Sequence, residues 1–215
     1  MAEPTWTIQR VLDWTRSYFA EQGIDSNRLD AELLMADALR VDRMQLYLDH
    51  HKPLTPDELT AIRERVRRRG RREPVAYILG RKGFWSLDVS VDSRVLVPRP
   101  ETEGLVERTL ETIAVDEPTR IADVGCGSGC IALALATERP SAQVTAIDIS
   151  HDALAVAKTN ADSLGIANVE WRHGNLLEGV GESFHAVVSN PPYIPTATIE
   201  TLMADVRQFE PRLAL

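Results

Sequence analysis

The sequence predicts an α/β fold: a domain built on a parallel sheet, preceded by a small helical domain and a linking β-hairpin. Three observations predict it. From Arg120 onward, short apolar runs ("RIADVG", "QVTAIDIS", "NVEWRHG", "HAVVSN") read as strands, and "GCIALALATER" and "HDALAVAKTNADSLG" read as helices between them. Helices between successive strands imply a parallel sheet with right-handed crossovers. The first eighty residues recur at helical spacing instead, and "KGFWSLDVSVDSRVLVP" reads as a hairpin of β-branched and aromatic residues broken by Ser-Leu-Asp and Asp-Ser. The resulting division is 1–80 helical, 81–98 hairpin linker and 99–215 α/β domain.

In "TIQRVLDWTRSYFAEQG", Ile8, Val11, Leu12, Thr15, Tyr18 and Phe19 fall at helical spacing and Gly23 supplies a stop. "SNRLDAELLMADALR" predicts a second amphipathic helix, capped by Ser26 or Asn27, with Leu29, Leu33, Ala36 and Leu39/Arg40 around one face. "TPDELTAIRERVRRRGRRE" opens with a capping box, Thr55 to Glu58, and Pro56 at its first helical position. Residues 63–72 hold seven arginines and one glutamate. That run is either a solvated helix end complementing the dipole or a patch for phosphates, hence a weak RNA contact through Arg63–Arg72, or for an acidic partner. "RPETEGLVERTLETIA" starts a helix near Glu101.

Charge and composition narrow the class. A net charge of -8 disfavours broad non-specific nucleic-acid binding. No apolar run approaches the ~20 residues that span a bilayer, and "MAEPTWTIQR" lacks a basic region followed by an apolar core, so neither membrane span nor secretory signal is expected. Cys126 and Cys130 lie four apart in one segment, which argues against a structural disulfide; they read as turn and helix-packing residues. A reducing cytoplasm is the natural compartment, and a monomer is expected. No metal is expected, since two thiols alone make a poor site. "VRQFEPRLAL" ends on apolar residues without closing an element and leaves the fourth strand near a sheet edge, so further chain beyond Leu215 is expected.

"DVGCGSG", Asp123–Gly129, follows the first strand and opens a helix, where an α/β sheet forms its crevice. Gly125, Gly127 and Gly129 allow a sharp turn and close backbone approach to a ligand, with Cys126 and Ser128 between them. The spacing departs from the dinucleotide fingerprint, and no Lys-Ser/Thr follows to make a phosphate loop. Asp148 ends the second strand, placed to accept hydrogen bonds from both ribose hydroxyls, with Ile149 beside it. A glycine turn with an acidic strand end points to adenosine without pyrophosphate, hence S-adenosyl-L-methionine. Asn175 and Leu176, after the third strand, are either adenine contacts or ordinary loop residues.

The fourth strand runs into "NPPY", Asn190 to Tyr193. Pro191 and Pro192 stiffen the loop and remove two donors. The Asn190 side chain and the Pro191 carbonyl supply two acceptors, which fit the two hydrogens of a planar NH2 group, and Tyr193 can stack on its plane. Asn190, Pro191 and Tyr193 are therefore the candidate catalytic residues, and Pro192 joins them in substrate binding.

With "RLDAELLMADAL", "REPVAYILG", "VLVPRPETEGLVE", "DVGCGSGCIALALA", "AIDIS", "VVSNPPYI" and "FEPRLAL" in view, the chain resembles the HemK-like protein-(glutamine-N5) methyltransferases, and within them the release factor glutamine methyltransferases. The resemblance implies a Rossmann-like class I methyltransferase domain that moves a methyl group from S-adenosylmethionine to the glutamine of the Gly-Gly-Gln motif in class-1 peptide chain release factors. It implies that Asp123, residues 125–129, Asp148 and Asn190 bind the cofactor. It also places Arg99 and Pro100 beside the substrate, Glu101 and Thr102 beside the cofactor, and the release factor on the helical domain. Members of the family continue for several elements past "EPRLAL". The Asn-Pro-Pro-Tyr motif alone is shared with amino-methyltransferases of DNA and RNA bases, and a ribosomal-protein glutamine is a further substrate in the same chemistry.

Overall fold

The chain divides into two units, Met1–Leu79 and Gly80–Leu215, and the computed structural model describes residues 5–113 and 118–215. Residues 1–4, where the N-terminal segment read for a signal begins, lie outside the described residues.

Helices α1 (Ile8–Glu21), α2 (Asn27–Leu39), α3 (Arg43–Leu48), α4 (Pro56–Gly70) and α5 (Val75–Leu79) build the first unit. The Thr7 hydroxyl caps α1 by accepting from the Arg10 N–H, and α1 buries Ile8, Val11, Leu12, Thr15 and Phe19. The expected capping box on α4 forms in both directions between Thr55 and Glu58. Helices α3 and α5 are too short to show a hydrophobic period in the sequence.

The α2 face differs from expectation. Leu29 is exposed, whereas Asp30, Ala31, Glu32, Leu34, Met35 and Ala36 are buried. Two acidic residues can go inside because each meets arginine. Asp30 pairs with buried Arg69 at 2.7 Å, and Glu32, whose side chain is 3% exposed, accepts from Arg28, Arg43 and the Tyr47 hydroxyl. Ser26 makes no side-chain cap bond. These pairs also account for much of the arginine run. Arg65 bonds Asp37, Arg67 bonds Glu64, Arg68 bonds Glu73, and Arg72 donates to the carbonyls of Gln22 and Gly23. The run is chiefly the internal cement of the helical unit, and a phosphate would have to displace carboxylates to use it.

The second unit opens with the antiparallel hairpin β1 (Arg81–Phe84) and β2 (Leu87–Ser90). It is shorter than expected, turning at Trp85 with φ +56°. Val91, Val95 and Val97 are buried outside any ladder, so their β-branched side chains mark burial rather than strand pairing. A 3₁₀ turn, Pro100–Thr102, leads into α6 (Glu103–Thr112); Ala114, expected in this helix, lies outside the described residues.

The sheet comprises β3 (Arg120–Val124), β4 (Gln143–Asp148), β5 (Val169–His173) and β6 (Ala186–Ser189), with α7 (Cys130–Glu138) and α8 (His151–Leu164) as crossovers and short helices α9 (Thr196–Ile199) and α10 (Ala204–Phe209) after it. Its order is β5-β4-β3-β6 and every pairing is parallel. The two crossovers step in the same direction, so right-handedness puts α7 and α8 on one face. Helix α7 is buried from Cys130 to Ala136, as its unbroken apolar sequence requires. Residues 174–185, between β5 and β6, form turns and bends without a helix. Strand β6 forms a sheet edge, with Val187 exposed. No helix among the described residues is long and apolar enough to cross a membrane.

Gly129 fixes where α7 begins. It has φ +79°, and a Cβ there would lie 2.9 Å from Trp171 and 3.1 Å from Ala157. Asn160 braces the same turn, donating to the carbonyls of Ser128 and Ser90 and accepting from the Ser90 N–H.

Two outcomes are expected. Gly129→Ala should destabilise the chain by about 2 kcal/mol or more in urea unfolding, combining left-handed backbone cost with the Trp171 contact; an unchanged midpoint would contradict this packing. Burial pushes the Glu32 carboxyl upward, but bonds from Tyr47, Arg43 and Arg28 outweigh it and hold it at about 2 against an ordinary 4.5. A lowered folded value means its contribution is full above 4.5 and disappears as pH falls through about 2. Glu32→Gln should therefore cost about 1–2 kcal/mol near neutrality, its arginine partners being half in water. That deficit should shrink across the acid window in pH-resolved unfolding, and a constant deficit would sink the assignment.

Candidate active site

Strand β3 has neighbours on both sides, and the chain moves one way from it through β4 and β5, then returns to its other side with β6. The carboxyl ends of β3 and β6 thus diverge at a topological switch point, where an open α/β sheet forms its crevice. The glycine turn leaves β3 there and Asn190 leaves β6. The Ser189 hydroxyl ties the two strand ends by donating to the Val124 carbonyl at 2.7 Å.

The glycine turn is held by backbone. Gly125 and Cys126 N–H groups both donate to the Ile147 carbonyl at the end of β4. The Asp148 carboxylate accepts from the Gly127 N–H with one oxygen and from the Ser150 N–H with the other, each at 2.8 Å. A carboxylate fixed at both oxygens by backbone presents its remaining lone pairs in a set direction. Gly125 and Gly127 have φ +76° and +54°, and a Cβ at either would meet only open space. The turn therefore borders a real void, as a ligand cradle needs.

Two adjoining clefts occupy the crevice. The first, about 310 Å³ in cavity volume, is lined by Gly125, Cys126, Gly127, Ser128, Asp148, Ile149, Asn175 and Leu176 among others. Ile149 is 50% exposed and offers an apolar platform beside the Asp148 carboxylate. The second cleft, about 470 Å³, is lined by Glu101, Tyr193, Leu105 and Leu202. Arg99, Thr102, Asn190, Pro191 and Pro192 line both and form the wall between them. In that wall the Asn190 amide nitrogen donates to the Thr102 hydroxyl at 3.4 Å. Its oxygen is left as an acceptor with no partner among the described residues. Tyr193 is 78% exposed at the rim of the second cleft.

Some expected residues sit elsewhere. Asp123 is fully buried behind the turn, accepting from the Ala132 N–H of α7. Burial raises its carboxyl to about 7, against the pull of that hydrogen bond. Gly129 and Pro100 line neither cleft, and Glu101 lines only the second. Burial pushes the Cys130 thiol up to about 12 and the Cys126 thiol up as well, so both stay protonated walls rather than nucleophiles.

The sequence reading missed Leu96, Pro98 and Ser150, and above all the last residues. Pro211 and Leu213 line the first cleft, Leu215 the second and Ala214 both. That segment is tied back at both ends, by a bond from the Ile194 N–H to the Leu215 carbonyl and by an ion pair between Arg99 and Glu210. Its signal was "FEPRLAL" itself, a polar-apolar stretch with no period of either kind.

The void beside the glycines, the anchored carboxylate and the apolar platform suit a nucleoside carrying an apolar-linked chain, and so fit S-adenosylmethionine. Residues 10–80 match the family model described as the PrmC N-terminal domain, and 105–207 match the Methyltransferase small domain. The chain is 48% identical over 211 residues to a release factor glutamine methyltransferase of Geobacter sulfurreducens, covering 98% of this chain and 73% of that one. It is 46% identical to the protein of that name from Chlorobaculum tepidum, covering 99% and 76%, and 43% identical to that of Rhodopirellula baltica, covering 98% and 73%. The chain belongs to the release factor glutamine methyltransferase family.

Proposed function

We propose that this chain methylates the side-chain amide nitrogen of a release-factor glutamine, that of the Gly-Gly-Gln motif in class-1 factors, using S-adenosylmethionine held in the first cleft, beside the glycine turn. The observation that carries the reading is the shared wall. Asn190 stands in that wall, lines both clefts, and keeps an unused acceptor oxygen between donor and acceptor spaces. S-adenosylmethionine supplies a methyl group already made electrophilic by its sulfonium.

The chain's task is then to aim a poor nucleophile. The lone pair of a carboxamide nitrogen is delocalised into its carbonyl and does not point at a partner. Asn190 Oδ1 and the Pro191 carbonyl oxygen accept the two amide hydrogens, fix the nitrogen, and draw density from its N–H bonds so that it can pyramidalise. Thr102 keeps Asn190 turned oxygen-first by accepting from its amide nitrogen. The exposed Tyr193 ring is available to cover the flat amide once a glutamine enters. Positioning of this kind is worth effective molarities of ~10⁵–10⁸ M. The nitrogen loses its proton after the methyl arrives, so the chain needs no shifted general base.

Asp148 fixes the ribose, Gly125 and Gly127 admit the chain backbone close to the cofactor, and Ile149 with Asn175 and Leu176 borders the adenine. A cytoplasmic setting follows from a release-factor substrate. An acceptor on nucleic acid finds less support, because most of the arginine run is engaged internally.

Asn190→Ala should lower methyl transfer by about 10²–10³-fold, with S-adenosylmethionine affinity in calorimetry within about threefold of the natural chain, since one weak contact is lost. Equal losses in both would move Asn190 to the cofactor side. Asp148→Ala should do the reverse, weakening cofactor binding about 10–100-fold. Side-by-side labelling of release factor, tRNA, rRNA and DNA, followed by mass spectrometry, should find the methyl group on the Gly-Gly-Gln glutamine. Label confined to nucleic acid would end the proposal.

A further inference from the structure

The charges around the first cleft follow a pattern that methyl transfer alone does not explain. Among the described residues, its charged lining side chains are Arg94, Arg99 and Asp148. Each arginine carries a carboxylate that does not itself line the cleft. Arg94 is bonded twice by Asp92, at 2.9 and 2.6 Å, in a pair that is half exposed on both sides. Arg99 is bonded by Glu210 at 2.6 Å, and there the carboxylate is 1% exposed.

The burial of Glu210 is costly. Its second oxygen, Oε2, has no hydrogen-bond partner. Burial, with a smaller push from Asp205, drives the carboxyl upward, while Arg99 and the Val97 N–H oppose it. An acid kept out of water at a net disadvantage calls for a reason. Simple retention of the 210–215 segment is a weak one, since the bond from the Ile194 N–H to the Leu215 carbonyl already ties it.

We propose that Glu210 is a positioning and charge-balancing residue: by neutralising Arg99 in the wall between the clefts, it lets the site accept a cationic donor in preference to its neutral product. The inference rests on the reading of the first cleft as the S-adenosylmethionine site. The donor carries a positive sulfur bearing the methyl group and the product, S-adenosylhomocysteine, a neutral one without it; the rest of the two molecules is the same. An unbalanced guanidinium in that wall repels only the first. With both arginines paired, Asp148 is the one lining charge left uncompensated by a partner side chain, and it favours a cation. Water screens the exposed Asp92–Arg94 pair, so Glu210, out of water, is the stronger lever.

The test is calorimetric titration of the full chain with S-adenosylmethionine and with S-adenosylhomocysteine. Glu210→Gln keeps the shape and one acceptor but removes the charge. It should shift the ratio of the two affinities against S-adenosylmethionine by about fivefold or more. Glu210→Asp should keep the ratio within about twofold of the natural one. A merely structural role would weaken both ligands alike, and an unchanged ratio in Glu210→Gln overturns the proposal. Should Glu210→Gln fail to fold, Arg99→Met decides: the ratio should move toward S-adenosylmethionine, and no movement, or movement the other way, overturns the proposal. A natural chain that binds neither ligand overturns the reading of the cleft, and this inference with it.

Discussion

The parallel pairing of β3 with strands on both sides is the constraint on which the rest of the second unit depends. Because β4 and β6 flank it, the loops leaving β3 and β6 must part at their carboxyl ends, and a crevice opens with no side chain asked to make it. Two of the loops that border the clefts are then hung on strand ends. The glycine turn is clamped to Ile147 and Asp148 at the end of β4, and the Asn190 loop is tied through Ser189 to the end of β3. These bonds run to backbone on short, buried strands, so the site inherits the rigidity of the sheet.

Buried charge is the second organising feature, and it is handled in the same way in both units. Asp30 with Arg69 and Glu32 with Arg28 and Arg43 fasten helices of the first unit, and Glu210 with Arg99 fastens the wall of the crevice in the second. Such pairs add little net stability over apolar packing, since desolvation offsets much of the attraction. They do specify which surfaces meet. In the helical unit this specificity absorbs much of a basic run that would otherwise look like a phosphate patch. In the crevice it leaves a cleft whose arginines are matched.

Much of the architecture was legible because it rests on local rules. Strand–helix alternation, the Thr55–Glu58 capping box and the glycine turn each have a signature confined to a few residues, and the structure carries all three. What was not legible depends on partners distant in sequence. The buried face of α2 cannot be read without Arg43 and Arg69, because Asp30 and Glu32 look solvent-facing until those cations are known. Val91, Val95 and Val97 look like strand residues but are buried singly in an irregular segment. Asp123 looks like a ligand contact and lies behind the turn, whereas residues 211–215, which look like a ragged end, close both clefts. Asn190 and Asp148 were found because a strand end fixes their place; Glu210 was missed because only folding brings it to Arg99, 111 positions away.

Two oxygens of the Asn190–Pro191 corner are placed to aim a glutamine amide at the first cleft. A crystal structure with S-adenosylhomocysteine and a glutamine-bearing release-factor peptide tests it most directly. The account predicts the amide nitrogen within about 2.7–3.2 Å of both Asn190 Oδ1 and the Pro191 carbonyl oxygen, with the sulfur in line behind it. An amide nitrogen bonded elsewhere, or facing away from the sulfur, would contradict it.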